Sequence, residues 1–313
     1  MVNLVTSLEG ITADLSDGSV VTIGNFDGVH LGHQTIMGRA RALARELGVP
    51  AVGLTFEPHP IAFFRPELAP VRLTTSAQKV ELMAAAGLDL VLSLPFNQAL
   101  ADLSPERFVG EILIEALQAR HVVVGQDFRF GARRAGDAES LKSLGAPHGM
   151  EATASDWITR DGEPISSTRI RRAVQAGELA DAAAMLGRPY RLRGTIVSGE
   201  ARGRTIGYPT ANLAPEPMAL PPDGIYVTTL ARLGGPRWQA ATSIGHNPTF
   251  GDNARTVETF VFDEAAPDDL DLYDAAVELE LLQYLRDEAR FDSVEALVAQ
   301  MDRDVAAARR FFQ

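Results

Sequence analysis

Residues 20–33 read Val20-Val21-Thr22-Ile23-Gly24-Asn25-Phe26-Asp27-Gly28-Val29-His30-Leu31-Gly32-His33. A short apolar run enters a turn-rich stretch, and a helical pattern then carries to Leu47, with Gly48 placed as its cap. The unit is strand, loop, helix. The alternation continues outward: residues 51–56 read as a buried strand, about 76–86 as a helix and 90–94 as a strand. Ser104-Pro105-Glu106 supplies an N-cap, a first-position proline and a first-turn acid for a helix running to about Ala119. The β-branched run 122–124 follows it. Strands separated by helices predict a parallel, Rossmann-like α/β sheet with crossover helices. Ligands in such sheets lie beyond the carboxyl ends of the strands, which singles out the loops after Ile23, Phe56, Leu94 and Val124.

Two short helical patterns, 168–176 and 178–186, close this half before Gly187-Arg188-Pro189 interrupts the period. Beyond Tyr190 the segments 191–197, 224–230, 238–244, 256–262 and 276–284 alternate with period two between Gly/Pro turns, the pattern of an antiparallel barrel or sandwich. The tail is an amphipathic helix, with Asp292 and Glu295 in a capping-box pattern. Val294, Leu297, Val298, Met301, Val305, Ala308 and Phe312 fall on one stripe. The expected domains are 1–186 and 187–313.

Composition narrows the function. The chain has 313 residues, enough for two domains of roughly 100–200 residues each. Lys plus Arg number 29 against 41 Asp plus Glu, a formal charge of −12, so nucleic acid is not an expected partner. The absence of cysteine excludes disulfides, thiolate metal sites and cysteine nucleophiles. No apolar run approaches the ~18 residues of a membrane span, and the first basic side chain is Arg39, so neither a membrane partner nor a signal peptide is expected. A cytoplasmic location is the expectation. Lysine occurs only at positions 79 and 142, preceded by Gln78 and Leu141, which rules out a Walker A motif. Oligomeric state stays open.

The loop at residues 24–33 opens a helix, where backbone N–H groups and the helix dipole favour an anion. His30 and His33, with Gly32 between them, can aim at one small volume and donate to phosphoryl oxygens. A glycine-rich turn with two surface or metal-binding histidines is the alternative. A second stretch, Ile165-Ser166-Ser167-Thr168-Arg169-Ile170-Arg171-Arg172, begins a helix with hydroxyls and then arginines. Cations in a first turn oppose the dipole at about 0.3–1 kcal/mol each, a cost that an anionic partner reverses. A solvated basic turn would explain only the caps.

The second half carries Gly194, Gly199, Gly203 and Gly207, leading into Tyr208-Pro209-Thr210-Ala211-Asn212-Leu213. Glycines permit close backbone approach to phosphates, and the Thr210 hydroxyl and Asn212 carbonyl are hard-oxygen ligands suited to magnesium. In Thr256-Val257-Glu258-Thr259-Phe260 the alternation sets Glu258 on the face opposite Val257 and Thr259. Two strands joined by a glycine-rich loop, with Glu258 an exposed edge residue, is the other reading.

These strings resemble the HxGH nucleotidyltransferase superfamily and, more closely, the bacterial bifunctional riboflavin kinase/FAD synthetase family. The likeness rests on residues 24–33, Thr55-Phe56-Glu57-Pro58-His59-Pro60, Val124-Gly125-Gln126-Asp127-Phe128-Arg129-Phe130-Gly131 and residues 165–171 in the first half. In the second half it rests on Pro209-Thr210-Ala211-Asn212, Gly224-Ile225-Tyr226, residues 244–250 and Leu285-Arg286-Asp287-Glu288. It implies a nucleotidyltransferase (FMN adenylyltransferase) domain followed by a riboflavin kinase barrel with a C-terminal helix. The substrates and products would be riboflavin, FMN, FAD and ATP, with Mg2+ as cofactor.

By the resemblance, His30 and His33 stabilise the triphosphate and transition state. Gly24, Asn25, Phe26, Asp27, Ser166, Ser167, Thr168 and Arg171 hold the phosphates, while Asp127, Phe128 and Arg129 face the flavin. His59 shapes the site or serves an ordinary loop. In the barrel, Gly199, Gly203, Gly207, Thr210 and Asn212 bind magnesium-ATP, with Thr210 and Asn212 on the metal. Glu258 is the general base, and Arg286 lies in a flavin-lining segment. Two positions depart from the family's pattern: Glu264 stands where an aromatic residue is usual, and Asp274 where glycine is common. A member with only one active module, or a flavin-binding module without turnover, are the alternative readings.

Overall fold

The computed structural model describes residues 3–11, 14–198, 207–246, 255–267 and 270–313, and the chain divides into two compact units. The first comprises Met1–Pro70 and Ser76–Ser167, the second Val71–Thr75 and Thr168–Gln313. Residues 168–186, read above as closing the first half, thus cluster with the second unit.

In the first unit β1 (Asn3–Val5), β2 (Ser19–Ile23), β3 (Ala51–Glu57), β4 (Leu90–Pro95), β5 (Ala119–Gly125) and β6 (Glu151–Ser155) form a parallel sheet in the order β1-β4-β3-β2-β5-β6. Every residue of β2 is buried, as a strand covered on both faces requires. One apolar layer joins Val21, Ile23, Leu54, Leu92 and Val122 to the helical segment after Pro105. The other joins Val20, Val91 and Val123 to helices α1 (Leu31–Leu47) and α2 (Ser76–Ala85) through Met37, Ala40, Ala44 and Met83. Gly48 ends α1 in the left-handed region at φ 68°, as its place in the sequence predicts. The strand order reverses between β2 and β5, so the loops after those strands flank a topological switch point.

Two details differ from the sequence reading. The helix opened by Ser104 is α-helical only over Pro105–Arg107, winds as a π-helix over Phe108–Ala116, and stops three residues before Ala119, where β5 already begins. The two edge strands, β1 and β6, were not foreseen.

Helix α3 (Ala138–Gly145) precedes β6 in the first unit, and α4 (Ser167–Gln175), all but its first residue, and α5 (Leu179–Leu186) belong to the second. Six antiparallel strands follow: β7 (Tyr190–Val197), β8 (Ala211–Pro215), β9 (Gly224–Arg232), β10 (Arg237–His246), β11 (Arg255–Val261) and β12 (Ala276–Arg286). Among the described residues they close a barrel in the order β7-β8-β11-β10-β9-β12. Its interior holds a row of buried hydroxyls, Thr228 to Thr242 at 2.8 Å and Thr242 to Thr259 at 2.9 Å. Arg191, Arg193 and Arg237 pair with Glu278 and Glu280 across β7, β10 and β12.

Helix α6 (Val294–Phe311) closes the chain. Its cap is Ser293, whose Oγ accepts from Ala296 N, and not Asp292; Val294, expected on the apolar stripe, is 55% exposed. Strand β8 is the remaining surprise, since its residues read as a ligand motif.

Asp274 adopts φ 55°, the left-handed region, while its N–H donates to Ile196 O. That backbone explains why glycine suits the position. Asp274→Gly is expected to raise Tm by up to about 3 °C, measured by scanning calorimetry; a lower Tm would show that the carboxylate itself stabilises the turn.

Candidate active sites

The first site begins where β2 ends. Phe26 and Val29 sit at φ 51° and 37°, around Gly28 at 82°. This loop turns the Phe26 ring inward, edge-on to His33 with centroids 5.2 Å apart. His30 caps α1, its Nδ1 accepting from His33 N at 3.4 Å, and the two imidazoles stack at 3.6 Å. Two stacked imidazolium cations would repel. Loss of water around the ring, and then His30, push the His33 pKa well below its usual value. His33 therefore works as a neutral ring near pH 7. Its Nδ1 is buried and has no hydrogen-bond partner among the described residues, so the ring presents an unspent polar atom rather than a fixed charge.

Strand β3 supplies the other side. Thr55 Oγ1 donates to Asn25 O at 3.2 Å, and the Asn25 side-chain amide lies 3.1 Å from His59 Nε2. His59 Nδ1 accepts from Ile61 N at 3.2 Å, and the ring's other nitrogen, Nε2, faces the Asn25 amide. The loop is held from a third direction by Ser167 Oγ, which donates to Asp27 O at 2.9 Å. The structure thus brings Asn25, Phe26, Asp27, His30, His33, His59 and Ser167 together. Ser166 precedes α4 and is partly buried. Thr168 and Arg171 belong to the second unit, where Arg171 Nε donates to Val71 O at 2.6 Å.

Past β5, Asp127 is exposed. Phe128 stacks on Phe130 with centroids 5.6 Å apart. Arg129 binds Asp137 at 2.7 Å. Asp137 also caps α3, and the Ser140 amide and hydroxyl, followed by Arg129, pull its carboxyl down to about 2.

In the barrel, register assembles the second site. Asn212 on β8 lies directly opposite Glu258 on β11, and Glu258 opposite Ser243 on β10. Val257 and Thr259 are buried on the inner face, leaving Glu258 with Asn212 and Ser243 on the other. Thr210, two residues before Asn212, borders a cleft of about 1010 Å³ together with Gly207, Tyr208, Phe260, Leu270 and Tyr273. Aromatic and aliphatic walls of this kind suit a flat ring system. Gly199 and Gly203 lie outside the described residues.

Arg286 reaches helix α6. Its Nε and Nη2 bind the two Asp304 oxygens of α6 at 2.9 and 2.5 Å, and Nη1 donates to Asp287 O. The fork fastens α6, which lends Val305 and Arg309 to the cleft.

Three contributors went unread. Tyr208 donates its hydroxyl to Asp302 of α6 and tilts against Phe260. Ser243 donates to Glu288 at 3.4 Å, and a Cβ at Gly245 would strike that Glu288 carboxylate. Burial, then Asp223, raises the Glu288 pKa. The Leu285-Arg286-Asp287-Glu288 string pointed at Glu288, whereas Ser243 carried no signal of its own.

Comparison with known proteins matches both halves. The FAD synthetase family model matches residues 12–169 and the riboflavin kinase model residues 186–312. The chain is 42% identical over 293 residues to the bifunctional riboflavin kinase/FMN adenylyltransferase of Pseudomonas fluorescens, covering 93% of this chain and 92% of the relative. It is 35% identical over 309 residues to the protein of the same description from Escherichia coli K12, covering 99% and 97%. A crystal structure described as a macrolide-efflux protein from Streptococcus pneumoniae superposes with a TM-score of 0.85 at 32% identity, over 98% of both chains. Efflux is said of that protein alone; among the described residues here, no helix is long and apolar enough to cross a membrane.

The depressed His33 pKa fixes a sign. An unfolded chain takes up this proton near pH 6.5 while the folded one resists it, so His33 contributes stability above that pH that is lost as pH falls below it. Wild type should lose more Tm between pH 7.5 and 5 than His33→Asn; equal losses would mean that the folded ring protonates freely.

Proposed function

The chain belongs to the bifunctional riboflavin kinase/FMN adenylyltransferase family, phosphorylating riboflavin to FMN with ATP and transferring the adenylyl group of a second ATP to FMN, and from that premise we propose how the two reactions divide between its halves. Residues 1–186 carry adenylyl transfer and residues 187–313 the kinase. One observation carries the division: each reacting set lies within a single unit, Asn25, His30, His33 and His59 in the first, Thr210, Asn212 and Glu258 in the second.

In the kinase, Glu258 takes the proton of the riboflavin 5′-hydroxyl as that oxygen attacks the γ-phosphorus and the bond to ADP breaks. Asn212 opposite Glu258 supports this role, because the base then stands beside the group that anchors the nucleotide. Thr210 and Asn212 hold Mg2+; when bound, the ion neutralises phosphate charge. Their neutral oxygens fit a cation that arrives with ATP, since no group of three or more His, Asp or Glu among the described residues forms a cage of its own. Gly199, Gly203 and Gly207 give the phosphates room, and the cleft beside Tyr208 and Phe260 takes the isoalloxazine ring.

In adenylyl transfer, the FMN phosphate attacks the α-phosphorus of ATP and pyrophosphate leaves, without a covalent enzyme intermediate. Positioning and charge stabilisation supply most of the rate. His30 and His33 donate to the phosphoryl oxygens. The loop of Gly24, Asn25, Phe26 and Asp27 cradles the phosphates, and Ser166 and Ser167 hold them from the same unit. Asp127, Phe128 and Arg129 meet the flavin. A neutral His33 suits this work, since it gives a hydrogen bond without trapping the pyrophosphate by charge. A cysteine-free chain acting on ATP supports a cytoplasmic location.

Incubation with riboflavin, ATP and magnesium, with flavins separated over time, tests the division. Glu258→Ala should slow FMN formation at least about 100-fold while FAD still forms from supplied FMN; His33→Ala should do the reverse. Loss of FAD formation from FMN in Glu258→Ala would overturn the two-site assignment.

A further inference from the structure

We propose that Lys79 is a positioning residue for adenylyl transfer, acting through Glu57 and His59 on Asn25. The inference rests on assigning that reaction to the Asn25–His33 loop. Lys79 is one of two lysines in the chain, and its side chain is only 8% exposed. It lies near the start of α2, where the helix dipole disfavours a cation. A buried ammonium in such a place is costly unless it is paired and hydrogen-bonded. Here Nζ donates to Phe56 O at 3.3 Å and lies 3.7 Å from Glu57 Oε2. Ser76, one turn earlier on the same helix face, donates to that same Oε2 at 2.7 Å.

The last two residues of β3 are thus gripped from α2, and Glu57 O also accepts from Phe96 N at 3.0 Å. Two residues beyond Glu57, His59 caps the one-turn helix Pro60–Phe64 and aims Nε2 at the Asn25 amide. Contacts therefore run without a gap from Lys79 to Glu57, along two residues of chain to His59, and on to Asn25. An apolar side chain of similar length would fill the same space but take this ammonium away from the Glu57 carboxylate and the Phe56 carbonyl. The end of β3 would then loosen, and with it the hydrogen bond that sets the Asn25 amide. The nucleotide loop depends on geometry, and a shift of about 1 Å can cost about 100-fold in rate.

The test uses the full chain and measures both reactions on the same preparations. Lys79→Met should lower kcat for adenylyl transfer about 10–100-fold while KM for FMN moves less than about threefold. Riboflavin phosphorylation should be unchanged, which reports that the chain is folded. Lys79→Arg should restore most of the rate, and Glu57→Gln should reproduce the defect. The double variant Lys79→Met/Glu57→Gln should be no slower than the slower single, since the two act as one unit. Unaltered kcat in Lys79→Met, multiplying defects in the double variant, or an equal loss of kinase activity would each overturn the proposal. His33→Ala is run alongside: if it keeps full adenylyl transfer, the site assignment fails, whereas an inactive His33→Ala beside a fully active Lys79→Met refutes the role of Lys79 alone.

Discussion

The first unit turns on a strained loop. Phe26 and Val29 both sit at positive φ, which costs an L-residue about 1–2 kcal/mol each and is least tolerable for β-branched Val29. Both side chains are almost wholly buried, and burial of residues this size returns about 1.5–3 kcal/mol apiece. The magnitudes balance, so the loop holds its shape only while Phe26 stays packed. What the strain secures is the ring geometry: Phe26 meets His33 edge-on, and His33 stacks on His30. Thr55 and Ser167 then tie the backbone at Asn25 and Asp27. The parallel sheet puts these groups together because the loop after β2 and the end of β3 meet beside the switch point.

In the barrel the corresponding constraint is register. A strand alternates with period two, so a slip of one residue in β11 would turn Glu258 into the barrel and Val257 or Thr259 out of it. The slip is opposed by the inner hydroxyl row, in which Thr259 meets Thr242 and Thr242 meets Thr228. Each hydroxyl is buried, and leaving one unpaired costs about 1–3 kcal/mol. The same pairing that keeps those hydroxyls satisfied holds Asn212 and Ser243 beside Glu258 on the opposite face. Core and site are two faces of one register.

Much of this was legible in the sequence, for reasons of period. The runs at β2, β3, β4 and β5 are mostly apolar because both faces are covered, whereas a barrel strand such as β11 alternates buried and half-buried residues along part of its length. What period could not reveal was set by other physics. Strand β6, Glu-Ala-Thr-Ala-Ser, lies at a sheet edge and needs no apolar run. Strand β8 was hidden inside the Pro209-Thr210-Ala211-Asn212 string, since residues read for a ligand are also those that pair with β11. Asp292 and Ser293 are both good caps, and only the Ala296 N–H decides between them. Lys79 with Glu57, and Arg286 with Asp304, join residues far apart in the chain, which no local pattern records.

Arg286 shows what such a long-range contact does for the barrel. The guanidinium at the end of β12 holds both oxygens of Asp304 on α6. Asp302 and Asp304 are two residues apart on α6, so their side chains diverge by about 200° around the helix axis. One reaches Tyr208, next to Pro209-Thr210; the other reaches Arg286 at the end of β12. Arg309 adds a third attachment, donating to Phe262 O at 2.9 Å. Three fastenings at different azimuths stop the helix from rolling as well as from lifting. A helix so fixed can serve as a wall of the cleft through Val305 and Arg309. Arg286 therefore serves the cleft by fixing that wall.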